Sequence, residues 1–166
     1  MKKVLLTICL VTVALFAAEA QNKLGYINSN ELLTLMPESN AMQSELESFT
    51  KGLESQMMAM QAEGETKLAE YQQNEATMGG LVKQDKVREL ESIQQRIVEF
   101  QQNAQQALGA KEQELLTPIL DKARKAIEDV AKEGSFTYIF DASTGNILYA
   151  DENENVLPLV KAKLGL

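Results

Sequence analysis

A chain of 166 residues, 45% hydrophobic and 24% charged with a formal net charge of −8, carries a prior of one domain. It has no His, no Trp and one Cys, which removes the commonest general base, the commonest zinc ligand and the usual partner of a Ser or Cys nucleophile. Three Arg in an acidic chain also argue against nucleic-acid binding, which needs a basic face to displace counterions from phosphate.

Met1-Lys2-Lys3 precedes an uncharged apolar run from Val4 to Ala18, and Ala18-Glu19-Ala20 places small residues before a cleavage point. This is the pattern of a Sec-type signal peptide over residues 1–20. The run holds 15 residues, short of the ~20 that a membrane-spanning helix needs. Cys9 lies within it and lacks the small-residue context of a lipoprotein. Cleavage after Ala20 predicts a cysteine-free mature chain of net charge 14 − 23 = −9, destined for the periplasm.

Lys23 to Asn28 reads as a short strand, and Asn28 with Glu31 has the spacing of a capping box for a helix over Glu31–Met36. Pro37 suits the first position of the next helix. From Glu38 to about Met78 the apolar stripe repeats every eleven residues: Met42, Leu46 and Phe49; Leu53, Met57 and Met60; Gly64, Leu68 and Tyr71. Eleven residues in three turns keep one stripe in line on a nearly straight helix. Gly79-Gly80 is the natural reversal point.

A second helix is expected from about Leu81 to Glu133, with Leu90, Ile93, Ile97, Phe100, Ala104 and Leu108 in its stripe. Pro118 should interrupt and bend it. Two such helices joined by a tight turn make an antiparallel hairpin ~60 Å or more long with one thin apolar seam. After Gly134, Phe136–Asp141 reads as a strand, Ala142–Gly145 as a turn and Asn146–Ala150 as a third strand; Val156–Leu164 reads as a final helix. Asp141 fits a strand-end turn cap better than a catalytic carboxylate.

The expected class is therefore α+β, mostly α: a small β-rich head (21–37 and 134–166) interrupted by a helical-hairpin, coiled-coil arm (38–133) with its tip near 79–82. A head of this size rarely holds a core without disulfides, metal or association. The mature chain has no cysteine and no metal-ligand spacing, so association is expected, with Leu24, Tyr26, Ile139, Phe140, Ile147 and Leu148 in the shared core and subunit contacts.

Lys23-Leu24-Gly25-Tyr26-Ile27-Asn28, Leu116-Thr117-Pro118-Ile119-Leu120, Tyr138-Ile139-Phe140-Asp141 and Val156-Leu157-Pro158-Leu159-Val160 together resemble the Skp/OmpH family of periplasmic chaperones. The resemblance implies a homotrimer with a β-rich body and three coiled-coil arms around a cavity. It further implies an ATP-independent holdase, without cofactor or catalysis, whose partners are unfolded outer-membrane β-barrel proteins. One departure stands out. The arm carries 11 basic against 18 acidic residues, whereas members of the family tend to be basic. A lipopolysaccharide or membrane site is accordingly not carried over, and client attraction is assigned to apolar groups.

Met57, Met58, Met60 and Met78 are candidate client contacts, because thioethers re-pack readily, although Met57 and Met60 also fit the seam. Gly79, Gly80, Lys83, Lys86 and Arg88 mark the arm tip, where the cations fit an ordinary solvated helix face better than a membrane or client contact. The alternative function is a structural coiled-coil adaptor in the envelope that binds one folded partner.

Overall fold

The computed structural model describes residues 22–166. The expected signal peptide and its cleavage point lie outside the described residues. In chain order the elements are β1 (Leu24–Ile27), α1 (Ser29–Leu35), α2 (Pro37–Asn74), α3 (Gly80–Glu133), β2 (Tyr138–Asp141) and α4 (Leu157–Leu164). Single 3₁₀ turns occupy Glu75–Thr77, Ala142–Thr144 and Glu152–Glu154. The protein is mostly helical and divides into two compact units, residues 22–36 with 121–166 and residues 37–120.

In the first unit β1 and β2 pair in parallel, Leu24 opposite Tyr138 and Tyr26 opposite Phe140. A parallel pair needs a long crossover, and here the crossover is everything between Asn28 and Thr137. The buried apolar residues of the unit are Ile27, Leu32, Met36, Ala123, Ala126, Val130, Val156, Leu157 and Val160. All but Ile27 come from outside the two strands, so helix packing supplies this core. Gly25 is where β1 passes closest to its neighbours: a Cβ there would lie 2.9 Å from Val156 Cγ1 and 3.0 Å from the Phe136 ring. Lys23 donates to the Gly134 carbonyl at 2.9 Å and covers the same ring at 4.1 Å from its centroid.

Asn28 caps α1 by accepting the Glu31 N–H at 3.1 Å, as its spacing predicts. The expected third strand does not form: Asn146–Ala150 has no strand pairing, and Leu148 is 97% exposed. Among the described residues no backbone pairs with this segment, and a strand without a ladder is not a strand. Among the described residues the β content of the unit is thus two four-residue strands and an isolated parallel bridge between Tyr26 and Asn155.

In the second unit α2 and α3 run antiparallel. Their cross-helix ion pairs, Glu45–Lys111, Glu63–Arg96 and Lys67–Glu89, descend in number on one helix as they climb on the other. Met42, Leu46, Phe49, Leu53, Met57, Met60, Gly64 and Tyr71 are all half-buried, which follows the eleven-residue stripe; Leu68 departs from it, 44% exposed, and Lys67 takes the inward place. None of the residues of α2 is fully buried, and Ile93 and Ile119 are the buried residues of the facing helix within this unit.

Two expectations about backbone breaks are corrected. The reversal starts before the glycine pair and takes in only its first member: Glu75–Thr77 tightens into a 3₁₀ turn, Met78 is extended, Gly79 lies between the helices, and Gly80 already opens α3. Neither Gly79 nor Gly80 has a positive φ, and neither has an atom within 4 Å of where a Cβ would stand. Pro118 does not interrupt α3, which runs unbroken through it. The preceding Thr117 hydroxyl donates to the Gln113 carbonyl at 2.7 Å, adding a bond inside the turn that the proline weakens.

Candidate functional site

β2 sets Tyr138 and Phe140 two positions apart, hence on one face of a two-stranded sheet. Their rings stack with centroids 6.1 Å apart and are 60% and 49% exposed. The unpaired segment after the Ala142–Thr144 turn adds Ile147, Leu148 and Tyr149. With Leu24, Tyr26 and Phe140 these residues line an open groove of about 800 Å³. Exposed aromatic and aliphatic groups gathered in this way are uncommon on a chain that works alone.

Of the six residues expected in an association core, Leu24, Tyr26, Phe140, Ile147 and Leu148 line this groove, and Ile139 does not. None of the six is buried within the single chain. Sequence reasoning misses Tyr138 and Tyr149. Their signal is the concentration of aromatics in residues 136–149 of a chain that is 5% aromatic.

The frame of the groove is held by Asp141. Its carboxylate accepts the Ser29 N–H at 3.2 Å, the Ser29 hydroxyl at 2.6 Å and the Ser143 N–H at 2.9 Å. Partial burial pushes this carboxyl up, but the hydrogen bonds from Ser29 and Ser143 outweigh it and hold the group below its ordinary range. Asp141 therefore joins the end of β2 to the start of α1 and caps its own turn, a structural task.

The second unit places the methionines in two settings. Met57, Met60 and Met78 are half-buried, whereas Met58 is 66% exposed. The tip cations are all paired: Lys83 with Glu75, Lys86 with Glu89 and Arg88 with Asp85. The same holds for the other four cations of residues 37–120, since Lys51 pairs with Glu47, Lys67 with Glu70 and Glu89, Arg96 with Glu63, and Lys111 with Glu45 and Glu114. Hydrogen bonding to Glu89 raises the Lys86 pKa, and bonds from Lys86 and Lys67 lower that of Glu89. Bonds to Glu45 and Glu114 likewise raise that of Lys111. Residues 37–120 hold 7 basic and 14 acidic side chains, so with every cation matched the unit's spare charge is negative.

Residues 23–164 match the family model described as outer membrane protein (OmpH-like). The chain is 24% identical over 138 residues to the chaperone protein Skp of Yersinia enterocolitica, covering 81% of this chain and 80% of that one. It is 26% identical over 151 residues to the chaperone protein Skp of Vibrio cholerae, covering 87% of each. An OmpH-like crystal structure from Caulobacter crescentus superposes with a TM-score of 0.77 at 13% identity, over 89% of this chain and 86% of that one, a likeness of fold. With the family model spanning nearly all of the described residues, this chain belongs to the OmpH-like outer membrane protein family.

Proposed function

We propose that the protein is an ATP-independent periplasmic holdase, not an enzyme, which keeps unfolded outer-membrane β-barrel proteins from aggregating. The observation that carries this reading is a two-helix unit with only a thin half-buried seam, on a chain whose relatives are named chaperones. Long helices that spend so little of their surface on their own packing offer many weak contacts. An unfolded chain confined among several such hairpins meets those contacts at high effective concentration. The exposed groove around Phe140 and Leu148 is the surface through which copies associate, as a homotrimer, into that confining arrangement. Copies joined there also give Asn146–Ala150 a neighbouring strand to pair with. Client contact falls to Met58 and the other side chains flanking the seam.

The test is light scattering of a urea-unfolded outer-membrane barrel protein diluted into buffer with the purified mature protein and no nucleotide. Suppression at modest molar excess is the expected result. Unchanged aggregation, together with a stoichiometric complex with one folded envelope protein, overturns the holdase in favour of an adaptor.

A further inference from the structure

Between α2 and α3, within the second unit, lies an open groove of about 630 Å³ whose lining includes Gly64, Glu65, Leu68, Leu90, Glu91 and Ile97. Gly64 lets the two helices close beside it: a Cβ there would stand 3.3 Å from Ile93 Cγ2, so the Ile93 side chain, 3% exposed, takes the space over the bare backbone. Next to this contact the groove is open, with Leu68, 44% exposed, Leu90 and Ile97 as its apolar walls.

The charge that lines it is of one sign. Elsewhere α2 and α3 are joined by opposite charges, Glu63–Arg96 at 3.0 Å and Lys67–Glu89 at 3.2 Å close by. In the groove both charged residues are acidic, and among the described residues no cation lies within 4 Å of Glu65 or Glu91. The neighbouring cations Arg96, Lys67 and Lys86 are already engaged by Glu63, Glu70 and Glu89. Two carboxylates beside apolar walls are complementary to a cation carried next to an apolar group.

We infer that this groove binds segments of unfolded polypeptide in which an apolar side chain is flanked by Lys or Arg, so that Leu68, Leu90 and Ile97 seat the apolar group while Glu65 and Glu91 face the cation. In an extended chain, next-but-one residues share a face about 7 Å apart, within the span of a Lys or Arg side chain that lies along apolar surface with its charge outward. The inference rests on the holdase reading and narrows it: an acidic hairpin selects cationic-apolar stretches of its clients and repels acidic ones.

The test uses the full mature protein and a fluorescein-labelled extended peptide carrying Leu with Lys at the next-but-one positions, followed by anisotropy; the same peptide with Glu for Lys is the comparison. The wild-type protein should prefer the Lys peptide. Glu65→Gln with Glu91→Gln should weaken that binding about three- to tenfold, the scale of losing two exposed charge contacts. Leu68→Ser should weaken it with the salt dependence retained. Glu54→Gln with Glu112→Gln removes the same net charge from exposed positions outside the groove, and binding should change less than about twofold. Equal loss in both double variants, or no loss in the groove variant, overturns the inference. Aggregation of the unfolded barrel protein is followed in parallel. Suppression by the wild-type protein alongside undiminished peptide binding by the groove variant overturns the groove alone, while absent suppression strikes the holdase reading and leaves the peptide titration to decide the groove.

Discussion

Asp141 shows how a single side chain can imitate a catalytic group and yet be fully occupied by the fold. Three hydrogen bonds from Ser29 and Ser143 favour its charged form, so its pKa falls on folding. A carboxyl depressed in the folded state contributes stability that is complete above the unfolded value, about 3.9, and is lost as pH falls through the folded one. Asp141→Asn should therefore cost about 1 kcal/mol near neutral pH, the worth of a cap at an exposed site. It should also flatten the decline of stability below about pH 4, which urea melts across pH will read. Gly25 is the steric counterpart. Val156, 1% exposed, and the Phe136 ring stand where a methyl group would go. Gly25→Ala should lower the urea midpoint by the equivalent of about 1–3 kcal/mol through overpacking, whereas Gly109→Ala, with nothing within 4 Å, should not.

At the level of elements, local pattern could be read from the sequence and pairing could not. The stripe from Met42 to Tyr71 is written in residue spacing, because each helix turn is set by neighbours three and four positions away. The same logic made Asn28 readable as a cap. Asn146–Ala150 carries strand-like residues too, but a strand is completed by another backbone, and among the described residues none pairs with it. Five of six residues chosen for association do share one groove, yet the segment that delivers Ile147 and Leu148 is irregular. The glycine pair marks the reversal only in part, because glycine permits a left-handed turn without requiring one. The reversal runs through Glu75–Thr77, extended Met78 and Gly79, and Gly80 belongs to α3. Because Gly79 and Gly80 have ordinary φ values and open space around them, Gly79→Ala and Gly80→Ala should each stabilise the protein by about 0.4–1 kcal/mol, through reduced freedom of the unfolded chain. A lowered thermal midpoint in either variant would mean that the turn depends on glycine after all. Gly64 differs from them: it sits at a close contact between helices, where a Cβ would stand 3.3 Å from Ile93 Cγ2.

For the whole molecule, association and client binding are expected to respond to salt in opposite directions. Each copy that begins at Gln21 carries a net charge of −9, so bringing copies together works against like-charge repulsion that ions screen. The opposing gain is apolar. Moving a side chain as exposed as Leu148 into a packed interface contributes about 1.5–3 kcal/mol, and a domain is stable by only about 5–15 kcal/mol in all. Folding coupled to association makes the melting temperature depend on protein concentration. A hundredfold dilution of the mature protein should therefore lower its thermal midpoint, and moderate salt should oppose that fall. Tyr138→Ser with Leu148→Ser, which thins the exposed face without touching a buried residue, should shift sedimentation toward single copies at concentrations where the wild-type protein stays assembled. Binding of a cationic peptide between Glu65 and Glu91 should weaken over the same salt range, since there the charges attract. A midpoint independent of dilution would show that the groove around Phe140 and Leu148 does not join copies, and the proposed confinement of a client among several hairpins would lose its physical basis.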